Sequence, residues 1–139
     1  MNIENRLARA NEMCKNTLID FLGIAFTEIG ENYLCATMPV VQKTMQPMGQ
    51  LHGGATAVLA ETVGSLGSAM MVDQLQEATV GLEINVNHIK AVRSGFVHAK
   101  GEILHKGKST HIWNITVKND DNQLVAVCRL TNMIIKKQI

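Results

Sequence analysis

The stretch whose reading decides the fold is QPMGQLHGGATAVLAETVGSLGSAMMV, residues 46–72. Its first part, Gln46-Pro47-Met48-Gly49-Gln50-Leu51-His52-Gly53-Gly54, reads as a loop that delivers the chain to a helix start. Beyond Gly54 every residue is apolar, small or hydroxylic except one, Glu61. The pattern predicts a helix from about Gly54 to Asp73, apolar nearly all round, which the rest of the chain must enclose. Gly54, Ala55, Ala57, Ala60, Gly64, Gly67 and Ala69 leave room for close backbone approach along it. The run from Gly53 to Val72 is also long enough to cross a bilayer. Glu61, four hydroxyl residues and four glycines weigh against that reading, and no second span follows.

Outward from the helix, residues 3–21 read as one or two helices with Leu7, Met13, Leu18, Ile19 and Phe21 as apolar contacts. Ile24 to Ile29 and Leu34 to Val40 read as a strand hairpin, and residues 41–52 as a loop. Four strand-like runs come after the helix: Thr79 to Ala91, Phe96 to Leu104, Thr110 to Lys118 and Leu124 to Ile135. In the first, strict alternation puts Val80, Leu82, Ile84 and Val86 on one face and Glu83, Asn85 and Asn87 on the other. This order predicts an α+β domain, residues 1–139, with an antiparallel sheet wrapped around one long central helix.

Composition narrows the function classes. At 139 residues the chain can bury a sizeable core. A net charge of +1 gives no electrostatic case for nucleic acid or an anionic membrane. Three cysteines, Cys14, Cys35 and Cys128, form no C-x-x-C pair and argue against a disulfide framework. With a polar start, Met1-Asn2-Ile3-Glu4-Asn5-Arg6, they lead to the expectation of a cytoplasmic protein.

The chemistry concentrates in the loop and helix. A helix N-terminus presents unpaired N–H donors and partial positive charge. Gly53 and Gly54 carry no side chain to block them, so a carbonyl oxygen gaining negative charge could be stabilised there. The same glycines could simply make a tight loop. His52 could bond a substrate or orient the loop, and Gln46, stiffened by Pro47, could hold a carbonyl or a water. Glu61 is harder to explain away, because none of its helical neighbours neutralises it. Desolvation would make it a stronger base than an exposed glutamate. Ser65, four residues on, shares its face and could hold a water beside it. Gly53 and Glu61 are eight residues apart, about 12 Å along a helix. They can act on one carbonyl only if two chains contribute antiparallel helices, which implies a homodimer with shared sites.

A second set is basic. Lys90 and Arg93 end one strand, and Lys106 and Lys108 flank Gly107 in the next turn. With Ser109 and Thr110 they could contact a phosphate-bearing ligand arm. His88, His98, His105 and His111 lack metal-ligand spacing, so no metal site is expected.

The run Gln46-Pro47-x-Gly49-x-x-His52-Gly53-Gly54, with Ala60-Glu61 and Gly64-Ser65, resembles the hotdog-fold acyl-CoA thioesterases. It is most similar to the branch that hydrolyses aryl-CoA esters, including the menaquinone-pathway 1,4-dihydroxy-2-naphthoyl-CoA thioesterases and 4-hydroxybenzoyl-CoA thioesterases. The resemblance continues through Val80-Gly81-Leu82-Glu83-Ile84-Asn85-x-Asn87-His88, Trp113 and Arg129-Leu130-Thr131. It implies that Gly53 N–H polarises the thioester carbonyl while Gln46 and His52 assist at the thioester and leaving group. Glu61 of the partner chain is implied as nucleophile or general base, and Ser65 as positioning the water. Gly81, the segment His88, Ile89, Lys90, Ala91, and the segment His105, Lys106, Gly107, Lys108, Ser109, Thr110 match acyl- and CoA-binding stretches. A homotetramer of two such dimers, an acyl-CoA substrate and no cofactor are implied as well. Two other readings stay open. A hotdog acyl dehydratase also uses a loop His and a helix carboxylate, but its loop carries several prolines where this one has only Pro47. A non-enzymatic acyl-CoA-binding domain would need neither Glu61 nor Gln46.

Overall fold

The computed structural model describes residues 2–138. The chain opens with α1 (Ile3–Met13), capped by the Asn2 side chain, which accepts from Asn5 N at 2.9 Å. A short α2 (Leu18–Phe21) follows. Gly23 then turns the chain at φ +73°, where a side chain would be strained and a Cβ would meet Pro39 Cγ at 2.8 Å. β1 (Ala25–Ile29) and β2 (Tyr33–Pro39) form the hairpin. β1 is the sheet's edge, and Asn11 of α1 covers it like a short strand: its amide donates to Phe26 O at 3.0 Å and accepts from Phe26 N at 2.8 Å.

The chain leaves the sheet through residues 40–52 and enters α3 (Gly53–Ala69). It returns at the far edge as β3 (Glu77–His88), then runs through β4 (Phe96–Lys106), β5 (Thr110–Asn119) and β6 (Leu124–Lys136). The strand order is β1-β2-β4-β5-β6-β3, every pair antiparallel. α3 therefore crosses the concave face of a six-stranded sheet, as its composition predicts. Alternate residues of β2 (Leu34, Ala36, Met38), β4 (Val97, Ala99, Gly101) and β5 (His111, Trp113, Ile115, Val117) are buried beneath it. Small residues on α3 make the approach possible. A Cβ at Gly67 would lie 2.5 Å from Trp113 Cη2, and one at Gly64 would lie 2.6 Å from Leu130 Cδ2.

The structure departs from expectation in three places. α3 ends at Ala69, not Asp73, because Asp73 and Gln74 offer competing bonds. Asp73 Oδ1 accepts from Leu75 N at 3.0 Å, and Gln74 Nε2 donates to Ala69 O at 2.7 Å. α3 is also enclosed on one face only: Ala57, Val58, Glu61, Thr62, Ser65 and Leu66 are half-buried in the single chain. Third, β3 does not alternate strictly. Its ladder with β6 slips between Gly81 and Glu83, leaving Leu82 as the extra residue of a β-bulge. Val80 and Leu82 end up exposed, whereas Ile84 and Val86 turn inward and are half-buried. The same slip sets Gly81 opposite Asn132, a residue fully buried under α3.

Among the described residues no helix is long and apolar enough to cross a membrane.

Candidate functional site

The loop that feeds α3 is held from inside. Buried Thr44 accepts from Val41 N at 3.0 Å, its hydroxyl lies 2.8 Å from Pro39 O, and its carbonyl accepts from His52 N at 2.9 Å. Leu51 N donates to Val92 O at 2.8 Å. Between these anchors, Gln46 N donates to Gln50 O at 2.9 Å, closing a turn in which Gly49 takes φ +76°. The Gln46 carboxamide oxygen accepts from Met48 N, which leaves its NH2 group as a donor without a partner among the described residues. Arg93 Nη1 donates to Met48 O at 3.3 Å, so Arg93 belongs to this loop.

His52 is the N-cap of α3. Its Nδ1 accepts from Gly54 N at 2.8 Å, which leaves the ring proton on Nε2. Ala55 N and Thr56 N both donate to His52 O, at 3.0 and 3.2 Å. Of the first four N–H groups of the helix, only that of Gly53 is without an acceptor among the described residues. His88, which the β6 ladder sets opposite Ala126, lies over this point: a Cβ at Gly53 would meet its Nε2 at 2.8 Å. Gly53 is a glycine because the imidazole occupies the side-chain position. The result is one free helix-end donor, among the described residues, beside two imidazoles, a place suited to a developing oxyanion.

Glu61 lies two turns further on. Its carboxylate makes no protein hydrogen bond or ion pair among the described residues and packs against Gly81, where a Cβ would sit 2.5 Å from Oε1. Glu61 and Ser65 open into one cavity of about 360 Å³. Cys14, Ile19, Phe26, Leu66, Ala69 and Thr79 of β3 are among the residues that line the rest of it. Burial, reinforced by the charge of Asp20, pushes the Cys14 thiol up, so it stays protonated there. A lone carboxylate beside an apolar cavity with a hydroxyl one turn away can activate a water or attack an electrophilic carbon.

The basic residues do not form one cluster within the chain. Ile89 N and Lys90 N both donate to Val125 O, at 2.8 and 3.2 Å, at the Gly53 end of the sheet. The turn carrying Lys106, Gly107, Lys108 and Ser109 is at the opposite end, where Thr110 pairs with Met133. Val125 and Met133 are eight residues apart on β6, about 26 Å along a strand. Adjacent strands join at one end or the other, and the hairpin β4–β5 turns at the end remote from Ala91 and Arg93. A single copy cannot bring both sets to one ligand of ordinary length.

Sequence reasoning missed a buried polar knot on the inner face of α3. The Ser68 hydroxyl accepts from Trp113 Nε1 at 2.8 Å and Asn132 Nδ2 at 2.9 Å, so its own proton points to His111 Nδ1, 3.0 Å away. Burial first, and then the charges of Lys106 and His105, hold the His111 imidazole below its ordinary value and therefore neutral. Asn132 Nδ2 also reaches Gly64 O at 3.1 Å, while its Oδ1 finds no partner. The only signal in sequence was polar residues at inward strand positions.

The sequence profile of the thioesterase superfamily matches residues 48–126, the end of the loop, α3, β3 to β5 and the start of β6. The chain is 40% identical over 129 residues to a 1,4-dihydroxy-2-naphthoyl-CoA hydrolase of Escherichia coli, covering 93% of this chain and 94% of that one. It is 39% identical over 132 residues to the proofreading thioesterase EntH of Klebsiella pneumoniae, covering 95% and 96%. A crystal structure of a mutant thioesterase from Pseudomonas aeruginosa superposes with a TM-score of 0.93 at 42% identity, covering 94% of each chain. The chain belongs to the hotdog-fold thioesterase superfamily. It is an enzyme of the thioester-hydrolase class.

Proposed function

We infer that this chain hydrolyses the coenzyme A thioester of an aromatic acid, in sites shared between two copies of the chain. The observation that carries the reading is the Glu61 carboxylate, unpaired, pressed against Gly81, and facing an apolar cavity with Ser65 one turn on. The thioester oxygen accepts from Gly53 N–H, which has no acceptor of its own. The capping His52 and the free NH2 of Gln46 flank it and face the leaving sulfur. Glu61 of the partner subunit takes a proton from water held by Ser65, or attacks the carbonyl carbon itself. In either route water supplies the new C–O bond, the C–S bond breaks, and a carboxylate and the coenzyme A thiol are released.

The aromatic class is supported by the relative named as a naphthoyl-CoA hydrolase and by Phe26, Ile19 and Leu66 around the cavity. Two copies are needed because Gly53 and Glu61 are about 12 Å apart on one helix. The half-buried face of α3 and the exposed Val80 and Leu82 of edge strand β3 supply apolar surface for that pairing. Pairing also brings the Lys106–Thr110 turn of one copy toward Gly81, His88–Ala91 and Arg93 of the other, around the nucleotide. The assembly is a homotetramer of two such dimers, working in the cytoplasm without a cofactor.

The test mixes two inactive variants, Glu61→Ala and the double variant Gln46→Ala/His52→Ala, and follows thiol release from an aryl-CoA as subunits exchange. One site of each mixed dimer inherits both defects and the other inherits none. Activity should rise toward about half of wild type per mixed dimer. Mixed dimers verified by native mass measurement that stay at background would place all groups within one chain and end the shared-site reading.

A further inference from the structure

The cavity at Glu61 does not stop at the length of an aryl ring. Leu66, Ala69 and Thr79 line it, and the same three residues line a second cavity of about 470 Å³. The two adjoin at these residues, so the space beside α3 runs from Glu61 toward the C-terminal end of the helix as one groove, with Arg6, Arg9, Ala10 and Met13 of α1 lining its far part. Ala69 is eight residues beyond Glu61, so the groove reaches about 12 Å past the carboxylate.

Its far end is cationic. Arg6 and Arg9 of α1 and Lys137 after β6 line it, against one carboxylate, Glu77. Neither arginine makes an ion pair among the described residues. Arg6 is half-buried, and among the described residues the one hydrogen-bond contact of its guanidinium is Met70 Sδ at 4.0 Å, a weak acceptor for a group with five donors. Lys137 Nζ donates to Gln74 O at 2.6 Å and makes no ion pair among the described residues. Arg9 and Lys137 are exposed, and with Arg6 they set three cations against the single Glu77 carboxylate, a net positive charge that a ligand carboxylate can meet through the paired geometry that arginine offers. α1 is held in this position by the Asn11 bonds to Phe26, so the arginines are preset rather than recruited.

We propose that this groove selects acyl groups carrying an anionic group about 12 Å beyond the thioester carbon, bound by Arg6 and Arg9 with Lys137 beside them. The inference rests on Glu61 as the reacting end. It adds a substrate class: an aryl or arylalkyl thioester with a distal carboxylate, in place of a purely apolar acyl chain.

The test compares two esters of equal length, para-(ω-carboxybutyl)benzoyl-CoA and para-pentylbenzoyl-CoA. In the wild-type enzyme the acid should be preferred in kcat/KM by about 10- to 100-fold, the range of charge-assisted hydrogen bonds. In Arg6→Met/Arg9→Met the ratio should fall close to one. In Glu77→Gln, which removes the groove's own carboxylate, it should rise, an outcome that a merely structural role for these residues would not produce. The free acids give a readout independent of turnover. By calorimetry, para-(ω-carboxybutyl)benzoate should bind more tightly than para-pentylbenzoate, and the double variant, verified as folded by its Tm, should lose the difference. Equal handling of the two ligands by wild type, or an unchanged ratio in the double variant, overturns the proposal. An active Glu61→Ala enzyme would end the catalytic reading instead, and the acid-binding comparison would still decide the groove.

Discussion

Gly81→Ala should inactivate the enzyme without unfolding it. Gly81 has no positive φ, so alanine suits its backbone. The added methyl would sit 2.5 Å from Glu61 Oε1, about 0.9 Å inside the 3.4 Å at which ordinary contact begins. The next Glu61 atom in range, its carboxyl carbon, is at 3.7 Å, and nothing else is near. The clash is therefore met by the far end of one flexible side chain, which swings away at little energetic expense. Restricting the unfolded chain returns about 0.4–1 kcal/mol, so Tm should hold within a few degrees. The carboxylate, however, moves by about 1 Å, a displacement that lowers a rate by on the order of a hundredfold. The assay is thiol release from benzoyl-CoA with a chromogenic disulfide, alongside thermal unfolding. A double-mutant cycle isolates the cause: with Glu61→Ala already present the clash is gone, so Gly81→Ala should add almost nothing. Wild-type kcat in Gly81→Ala, or a full additive loss in the double variant, would refute the placement of Glu61 against β3.

The core gives a case in which two effects oppose. Helix propensity favours Gly67→Ala by about 1 kcal/mol, whereas the methyl would sit 2.5 Å from Trp113 Cη2 and 2.6 Å from Cζ2, in a ring with no exposed surface. Overpacking costs typically about 1–3 kcal/mol, so the variant should have the lower Tm; a higher one would mean the Trp113 cavity is looser than described. The His111 imidazole, held below its ordinary value in the folded state, stabilises the fold most above the unfolded value near 6.5. That stability is lost as pH falls through the folded value, because the unfolded chain takes up the proton first. Tm should therefore decline between pH 7.5 and 5, and His111→Gln, though less stable at pH 7.5 for loss of the Ser68 bond, should show a shallower decline. An equal slope in both would remove His111 as its source.

Much of the fold was legible because its signals are local. Five of the six strands declare themselves by alternation and by turn residues such as Asn119-Asp120-Asp121-Asn122, and the structure bounds them within a residue or two; β3 alone is displaced further, ending at His88 where Ala91 was expected. The small residues of α3 announce close packing before Trp113 is known to be what packs there. Glu61 stands out because a lone charge in an apolar helix is anomalous wherever the helix ends up. His88 is different: a histidine near a strand end says nothing until the ladder sets it over Gly53.

By itself, then, the sequence determined the order of elements, the antiparallel sheet on a single helix, and the loop–helix stretch around which the candidate site is built. Those follow from periodicity, turn chemistry and the cost of burying a charge, all of which act over a few residues. Tertiary structure decided which way β3 faces, because one bulged residue at Leu82 reverses the parity of every residue beyond it. It also decided that the basic residues divide between opposite ends of the sheet. And it brought Arg6, Arg9 and Lys137, from the two ends of the sequence, to one groove with Leu66 and Ala69. No pattern along a chain encodes that meeting, since it depends on how α1 docks on the sheet edge at β1, through contacts between residues far apart in sequence.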